Sequence, residues 1–212
     1  METPPLKHLI DEEVKWNKSQ TIVSKTDTAG TILYANSVFT DACEYSAIEL
    51  IGEPHNVIRH PDMPKVAFKA LWDALKQGKN YHAIVKNLTK TGRYYWVITD
   101  FTIDKDDAGN ITGYTARRKS VPSSVVKKIE PLYKILLDIE KLKGEKASEL
   151  YFNAYLEEEV GKSYDEFVVD LFKEESLNEQ KLKKIAEIKE IEPEHESKLK
   201  KGLNWFFFGD FI

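Results

Sequence analysis

The sequence is poor in cysteine, in long apolar segments and in excess charge of either sign. Among its 212 residues Cys43 is the one cysteine, which excludes an internal disulfide and is typical of a reducing compartment. No apolar segment approaches the roughly 20 residues that cross a bilayer. The first residues, M-E-T-P-P-L-K-H-L-I, lack the basic and then apolar pattern of a secretory signal. These absences predict a cytoplasmic protein without a transmembrane segment.

Charge and motifs narrow the function classes further. The formal net charge of −4 argues against a nucleic-acid partner. We find no nucleophile elbow, no phosphate-binding glycine loop and no metal-ligand spacing, so the sequence does not predict an enzyme. With 42% hydrophobic and 31% charged residues, the chain is expected to form one full domain with an appendage, or two small domains, with a well-hydrated surface.

The stretch from Glu53 to Pro64, E-P-H-N-V-I-R-H-P-D-M-P, concentrates recognition groups on stiff backbone. Its three prolines restrict their own φ angles and those of the preceding residues, so short turns replace a long helix. Arg59, His60 and Asp62 are therefore expected to project from a rigid loop. A guanidinium suits carboxylate or phosphate, whereas a surface ion pair between Arg59 and Asp62 is an equally simple reading.

The pattern on either side of this loop is that of an α+β domain over residues 20–121. Residues 20–35 predict a β-hairpin, and Asn36 after it can cap a short helix. The helix after the loop has an apolar stripe, with Trp72 expected in the core. Three strands rich in aromatic and β-branched residues follow, which gives a five-stranded antiparallel sheet with helices on one face. A small ligand would lie in the hollow between that face and the helices.

The two ends of the chain look different from this domain. Residues 1–19 carry an imperfect helical stripe and are read as an N-terminal cap. Residues 122–192 predict an all-α signalling or docking region, in which Pro131 kinks or restarts the first helix and S-Y-D-E and S-L-N-E open two later ones. The aromatic-rich tail over 193–212 is expected to fold back on these helices or to bind a partner or a membrane surface.

Several motifs in the central domain resemble a known family. They are H-N-V-I-R-H-P-D-M-P, a helix with L-W, G-K-N-Y-H-A-I-V-K-N, T-G-R-Y-Y-W-V and G-N-I-T-G-Y. Together they are similar to PAS domains, and more narrowly to the sensory PAS domains of Aer-type aerotaxis receptors and of CetB-type bipartite energy-taxis proteins. The resemblance covers residues from about Thr21 to Ser120 and implies a PAS sensory domain over 20–121.

The family resemblance also implies a cofactor and a signalling role. Such domains hold FAD non-covalently and report redox, oxygen or energy state to the bacterial chemotaxis machinery. Carried over residue by residue, the implied cofactor contacts in this chain are Asn36, Arg59, His60, Asp62, Tyr81 and Asn87. Tyr81 is a departure, since the aerotaxis receptor has tryptophan near that place; a smaller ring could still stack on a flavin.

A second departure concerns the partner. The membrane anchor and methyl-accepting domain of the one-chain receptor have no counterpart in this sequence, which favours a bipartite arrangement with a separate membrane chemoreceptor or another signalling protein. The protein would then be recruited to the inner membrane through that receptor. The sequence leaves open whether the chain forms a homodimer.

Two other readings of the central domain stay open from the sequence. PAS pockets also take haem b, and His60 or His55 could supply an axial ligand. The domain could instead mediate protein contacts without any ligand. A cysteinyl-flavin photoreceptor is disfavoured because Cys43 lies in an early helix, without an N-C-R-F-L-Q setting around it.

Overall fold

A computed structural model describes residues 8–185 of the chain. The chain divides into two compact units, the first ending at Val169 and the second beginning at Asp170. No helix among residues 8–185 is long and apolar enough to cross a membrane. The predicted tail over 193–212 lies outside the described residues.

The first unit is built on a five-stranded antiparallel sheet, as predicted. Its strands lie in the order β2-β1-β5-β4-β3, so β2 and β3 form the two edges. Tight turns at Gly92 and Gly109, both with positive φ, join the last three strands, because glycine adopts that conformation without steric cost. The strand bounds are β1 Ile22–Asp27, β2 Ile32–Ala35, β3 Tyr81–Leu88, β4 Tyr94–Lys105 and β5 Ile111–Ser120.

Short helices connect β2 to β3 and cover one face of the sheet, which we call the inner face. Helix α1 brings Phe39 and Cys43, both fully buried, toward this face. Helix α3 buries Val66, Leu71 and Leu75, and Trp72 packs edge-on against Tyr114, with ring centroids 5.6 Å apart. The helix bounds are α1 Ser37–Cys43, α2 Ala47–Leu50, a 3₁₀ helix His55–Ile58 and α3 Lys65–Lys76.

The chain after the sheet is helical, and Pro131 lies inside its first helix. Helix α4 runs over Ser123–Lys143 without restarting at Pro131. A helical proline loses one hydrogen bond and strains one turn, which the buried apolar stripe of α4 offsets. Helix α5 covers Glu145–Ala154 and continues as a π-helical turn over Tyr155–Val160.

Of the two capping boxes predicted to open later helices, the first does so and the second does not. Ser163 and Glu166 form the predicted capping box, with the Ser163 hydroxyl 2.7 Å from the Glu166 carboxylate, at the start of a helix over 164–185. The second box, S-L-N-E at 176–179, opens no new helix, because that helix runs through it. No glycine or proline interrupts the stretch, so a capping sequence alone does not end the preceding helix.

The N-terminal segment is not helical over residues 8–19, contrary to its apolar stripe. It runs beside the start of β4, where Val14 donates its backbone N–H to the Tyr94 carbonyl at 2.8 Å and Tyr94 donates to Glu12 at 3.0 Å. Val14 is buried. Pairing of the backbone with an existing strand satisfies these polar groups better than an isolated short helix would.

Candidate functional site

The inner face of the sheet carries a cluster of buried polar side chains, which we call the inner-face cluster. It consists of Asn87, Tyr95, Thr99 and Arg118. Strand register places Asn87 opposite Tyr95 and Thr99 opposite Arg118, and side chains directly opposite have Cβ atoms about 4.5–5.5 Å apart. Tyr95 and Thr99 are four residues apart on one strand, or about 13 Å. The cluster therefore extends along the middle of the sheet.

Three of these side chains have a buried polar atom without a hydrogen-bond partner among residues 8–185. They are the Asn87 amide nitrogen, the Tyr95 hydroxyl and the Thr99 hydroxyl, none of which has a partner in hydrogen-bond geometry, in residues that are at most 3% exposed. Burial raises the pKa of the Tyr95 hydroxyl, although Asn87 lies close enough to that hydroxyl to lower its pKa in part. A buried polar group left unpaired costs about 1–3 kcal/mol. Such groups concentrated on one face mark it as the candidate ligand site.

Arg118 adds positive charge to this face. Its guanidinium donates to the Ser24 hydroxyl at 3.0 Å and to the His55 ring nitrogen Nε2 at 2.7 Å, and it lies over the Phe39 ring. Because arginine only donates, Nε2 of His55 must accept and His55 must be neutral. Burial, and then the charge of Arg118, lower the pKa of His55 to about 3.

The loop over residues 53–64, which we call the proline-braced loop, forms short turns and no long helix, as predicted. Its polar groups, however, bind the protein itself. Arg59 donates to the Met63 carbonyl at 3.0 Å and lies over the Phe68 ring at 4.4 Å. It also forms a backbone bridge with Asn87. The Arg59–Asp62 ion pair does not form; Asp62 instead accepts from Lys86 at 2.8 Å.

His60 is buried in the same loop. Its Nδ1 accepts the Asp62 backbone N–H at 3.1 Å, and its ring meets the Tyr94 ring edge-on, with centroids 6.3 Å apart. Burial, and then the charge of Lys86, lower the pKa of His60 to about 4. The alternation of β3 and β4 puts Lys86 and Tyr94 on the face opposite the inner-face cluster.

Two further predicted residues have well-defined structural partners. Asn36 caps α1, since its side-chain oxygen accepts from Phe39 and Val23, both at 3.0 Å, while its amide donates to Thr21 at 2.9 Å. Tyr81 is 9% exposed and stacks on Tyr164, with ring centroids 6.0 Å apart. Of the six predicted contact residues, Asn87 lies in the inner-face cluster.

Sequence reasoning missed Tyr95, Thr99 and Arg118 as site residues. Their signal was the two-residue period of R-Y-Y-W-V-I-T and T-A-R-R, which puts Tyr95 and Thr99 on one face and separates Arg118 from Arg117. The missing information was which face is covered by helices, and this depends on the fold.

The free edge of β3 is covered by the helices that follow the sheet. The Ile84 carbonyl accepts from the Tyr133 hydroxyl of α4 at 2.6 Å, and the Ile84 N–H donates to the Tyr164 hydroxyl at 3.3 Å. The N–H of His82 donates to Asp165 at 2.8 Å. Strand β3 thus carries Asn87 on its inner face and the helical region on its edge.

The sheet order and the connecting helices are those of a PAS fold, and comparison with known proteins agrees. Residues 32–117 match the family model described as PAS fold. This part of the chain is a PAS domain followed by a helical region, as the sequence motifs predicted.

The domain is similar to a bacterial sensor over a larger stretch. It is 41% identical over 116 residues to the aerotaxis receptor of Escherichia coli (strain K12), covering 55% of this chain and 23% of that relative. It is 24% identical over 102 residues to the nitrogen fixation regulatory protein of Klebsiella oxytoca, covering 48% of this chain and 21% of that protein. The chain thus spans about a quarter or less of the length of these relatives.

Among solved structures the chain is similar to light-oxygen-voltage domains. One, from a study of a flavin analogue in such a domain, has a TM-score of 0.49 and 20% identity over 52% of this chain and 84% of that chain. Another, a dark-state light-oxygen-voltage domain of the blue-light photoreceptor aureochrome, has the same TM-score and identity over 54% and 85%. The family match and the similarity to the aerotaxis receptor, without these structures, show that the PAS domain of this chain resembles the sensor of an aerotaxis receptor.

Proposed function

We propose that the PAS domain binds a flavin, FAD, on its inner face and reports redox or oxygen state through the helical region to a chemoreceptor-type partner. The observation that carries the proposal is the set of three unpaired buried polar atoms on Asn87, Tyr95 and Thr99. The resemblance to the aerotaxis receptor at 41% identity supports FAD and the signalling role.

The inner-face cluster fits a flavin ring in its hydrogen-bonding chemistry. Asn87 offers amide donors, Tyr95 and Thr99 offer hydroxyls, and Arg118 offers guanidinium donors, while a flavin ring carries carbonyl oxygens and ring nitrogens that accept. Burial raises the pKa of the Tyr95 hydroxyl, so it stays a donor at neutral pH. When bound, the flavin would supply reversible electron uptake, which none of these side chains provides.

The change of redox state would be transmitted from the flavin to the helical region through β3. A change of redox state alters which ring atoms donate or accept, and a ligand shifts a conformational equilibrium only through such differential contacts. Asn87 contacts the ligand from β3, and Ile84 of the same strand is hydrogen-bonded to Tyr133 and Tyr164. A small shift of β3 would therefore change the hydrogen bonds that hold the helical region.

A second connection runs through α3, which follows the proline-braced loop. Glu140 of α4 accepts from the backbone N–H groups of Lys65 and Val66 at 3.0 and 2.9 Å, and so caps α3 from a distant part of the chain. Lys69 of α3 pairs with Glu149 of α5 at 2.9 Å. Movement of the loop and α3 would thus also change the contacts that α3 makes with α4 and α5.

The test is a visible absorption spectrum of the purified protein before and after anaerobic reduction, followed by chromatography of the released ligand. We expect a yellow protein that bleaches on reduction and releases FAD. Asn87→Ala should weaken flavin retention about tenfold or more, because one lost ligand hydrogen bond costs about 1.4 kcal/mol or more here. Asn56→Ala is the matched control, since that side chain is exposed.

Other spectra would replace the proposal. A Soret band would move the site to haem and to His60 or His55, and His60→Ala would then remove the band while Asn87→Ala left it. A colourless protein that fails to take up added FAD would leave a PAS domain used for protein contacts alone.

A further inference from the structure

Helices α4 and α5 are consecutive and pack against each other as an antiparallel hairpin. They are joined where the Ser148 hydroxyl of α5 donates to the Leu136 carbonyl of α4 at 2.9 Å. Glu140 of α4 accepts from the first N–H groups of α3, and Glu149 of α5 pairs with Lys69 of α3. Each helix of the hairpin therefore turns one side toward α3, and polar contacts occupy that side.

The other side of this hairpin carries exposed apolar side chains, which we call the hairpin surface. It consists of Ile135 and Leu142 of α4 and Leu150 and Tyr151 of α5. A helix turns about 100° per residue, so these side chains lie about 100–160° around their helices from the glutamates that contact α3. Leu142 and Leu150 are 82% and 62% exposed. One exposed leucine is ordinary, but apolar residues that two packed helices present on the same side mark an interaction site.

The charged residues that flank the hairpin surface along α4 are mostly basic. The exposed charged side chains on this part of α4 are Lys127, Lys128, Lys134, Asp138 and Lys141. Two glutamates of α4 point toward the PAS domain instead, since Glu130 lies 3.9 Å from Lys86 and Glu140 caps α3. The flank of the hairpin surface thus has an excess of positive charge, although the whole chain has a net charge of −4.

Shape and charge together select the kind of partner. The groove between two packed helices accepts a third helix through its apolar stripe, and carboxylates beside that stripe would complement the lysines of α4. An anionic membrane or a nucleic acid fits less well, because the exposed Glu157 and Glu158 follow α5 at one end of the hairpin surface and would repel it. A second copy would bring an identical row of lysines against that of α4.

We infer that the hairpin surface binds an amphipathic helix with acidic flanks, supplied by the partner protein. This inference deepens the proposed function and rests on its signalling part. Tyr133 of α4 is hydrogen-bonded to β3, while Leu142 of the same helix is exposed to the partner. Helix α4 thus links the PAS sheet on one side to the partner on the other.

The test uses the full chain and two synthetic helical peptides of equal length, each with a stripe of leucines. One peptide has glutamates beside the stripe and the other has lysines, and binding is measured by fluorescence anisotropy of the labelled peptides. We expect the acidic peptide to bind about tenfold more tightly than the basic one. Leu142→Asp and Leu150→Asp should each weaken its binding about tenfold or more, because each places a charge in the apolar contact. Ile48→Asp is the matched control, since Ile48 is an exposed apolar side chain of α2.

Charge reversal tests the flank separately. The double variant Lys134→Glu, Lys141→Glu should bind the basic peptide more tightly than the acidic one. All these positions are exposed, so thermal unfolding should be unchanged in every variant, and weaker binding then reports the surface and not the fold.

Four results would overturn the inference: no binding of the acidic peptide, tighter binding of the basic peptide by the unmutated chain, equal affinity in Leu142→Asp and Ile48→Asp, or an unchanged charge preference in the double variant. Binding to phosphatidylglycerol vesicles that Leu142→Asp abolishes would assign the surface to a membrane instead. A dimer in sedimentation that Leu142→Asp dissociates would assign it to a second copy. Failure of the proposed flavin site is distinguishable, because peptide binding is measured on the flavin-free protein and flavin uptake in a separate experiment.

Discussion

Strand β3 has hydrogen-bonding groups on its outer edge and on its inner face, and their surroundings are opposite. Along the edge, the N–H groups of His82, Ile84 and Lys86 find Asp165, Tyr164 and the Met63 sulfur as partners. On the inner face, the Asn87 amide has none in the part of the chain that the structure describes. An edge completed within the chain stabilises the fold, whereas an incomplete face fits a ligand.

The completed edge has a second consequence. An open edge strand is a template for pairing with other chains, and here the following helices occupy that position with side-chain hydroxyl and carboxylate groups. Because the partners are side chains rather than another strand, they can be withdrawn without breaking the sheet. On the proposed function, this edge would carry the signal from the inner face to the helices.

Acidification should have the largest effect on the free energy of unfolding. It acts on both regions, since His55 lies beside the inner-face cluster and His60 lies near the edge of β3. Their folded-state pKa values of about 3 and about 4 lie below the ordinary 6.5. The unfolded chain therefore binds protons that the folded protein does not. The contribution of the two neutral histidines to the free energy of unfolding is fully present above pH 6.5. It falls as the pH decreases toward their folded-state pKa values.

Between about pH 7 and pH 5 each histidine should lower the free energy of unfolding by about 2 kcal/mol. Urea unfolding of the flavin-free protein across this range measures the sum. His60→Asn keeps an acceptor for the Asp62 N–H but cannot be protonated, so it should remove about half of the loss. An unchanged pH dependence in His60→Asn would show that His60 is not held neutral by its surroundings.

Tyr133→Phe should produce an intermediate effect, confined to the edge. It removes the hydroxyl that donates to the Ile84 carbonyl and contacts Tyr164, leaving buried groups unpaired. We expect a loss of about 1–3 kcal/mol in the free energy of unfolding. Tyr151→Phe is the control, because Tyr151 is 39% exposed, and equal stability of the two variants would contradict the role given to the edge.

Thr99→Val should have the smallest effect and the opposite sign. The hydroxyl of Thr99 is buried without a partner, so replacing it with a methyl group should leave the flavin-free protein unchanged or stabilise it by up to about 1 kcal/mol. Thr115→Val is the control, since Thr115 is equally buried but donates to Asp104 at 2.7 Å. Thermal unfolding that destabilises both variants equally would mean that Thr99 is structurally paired.

Much of the fold could be predicted from the sequence because its signals are local. Four features depend on residues close together in the chain: the strand hairpins, the Asn36 cap, the turns of the proline-braced loop and the Ser163 box. Two predictions, a helix from the N-terminal stripe and a helix start at the second capping box, were wrong for the same reason. Each is compatible with a helix start by itself, and neither pattern contains its tertiary neighbours.

The candidate site was less accessible. Arg59, His60 and Asp62 were singled out for their chemistry and their family motif, yet their side chains bind Met63, the loop backbone and Lys86; whether they also contact a cofactor stays a prediction. Arg118, by contrast, looks in the sequence like any arginine in a basic R-R-K stretch.

The sequence by itself determined the α+β class, the succession of strands and helices and the resemblance to aerotaxis sensors, because periodicity, turns and motifs are properties of neighbouring residues. The tertiary structure alone decided that Thr99 faces Arg118, that Asn87 lacks a partner and that α4 covers the edge of β3. Those facts follow from strand register and from contacts between distant segments, and a one-residue shift in register would have turned every one of these side chains to the other face.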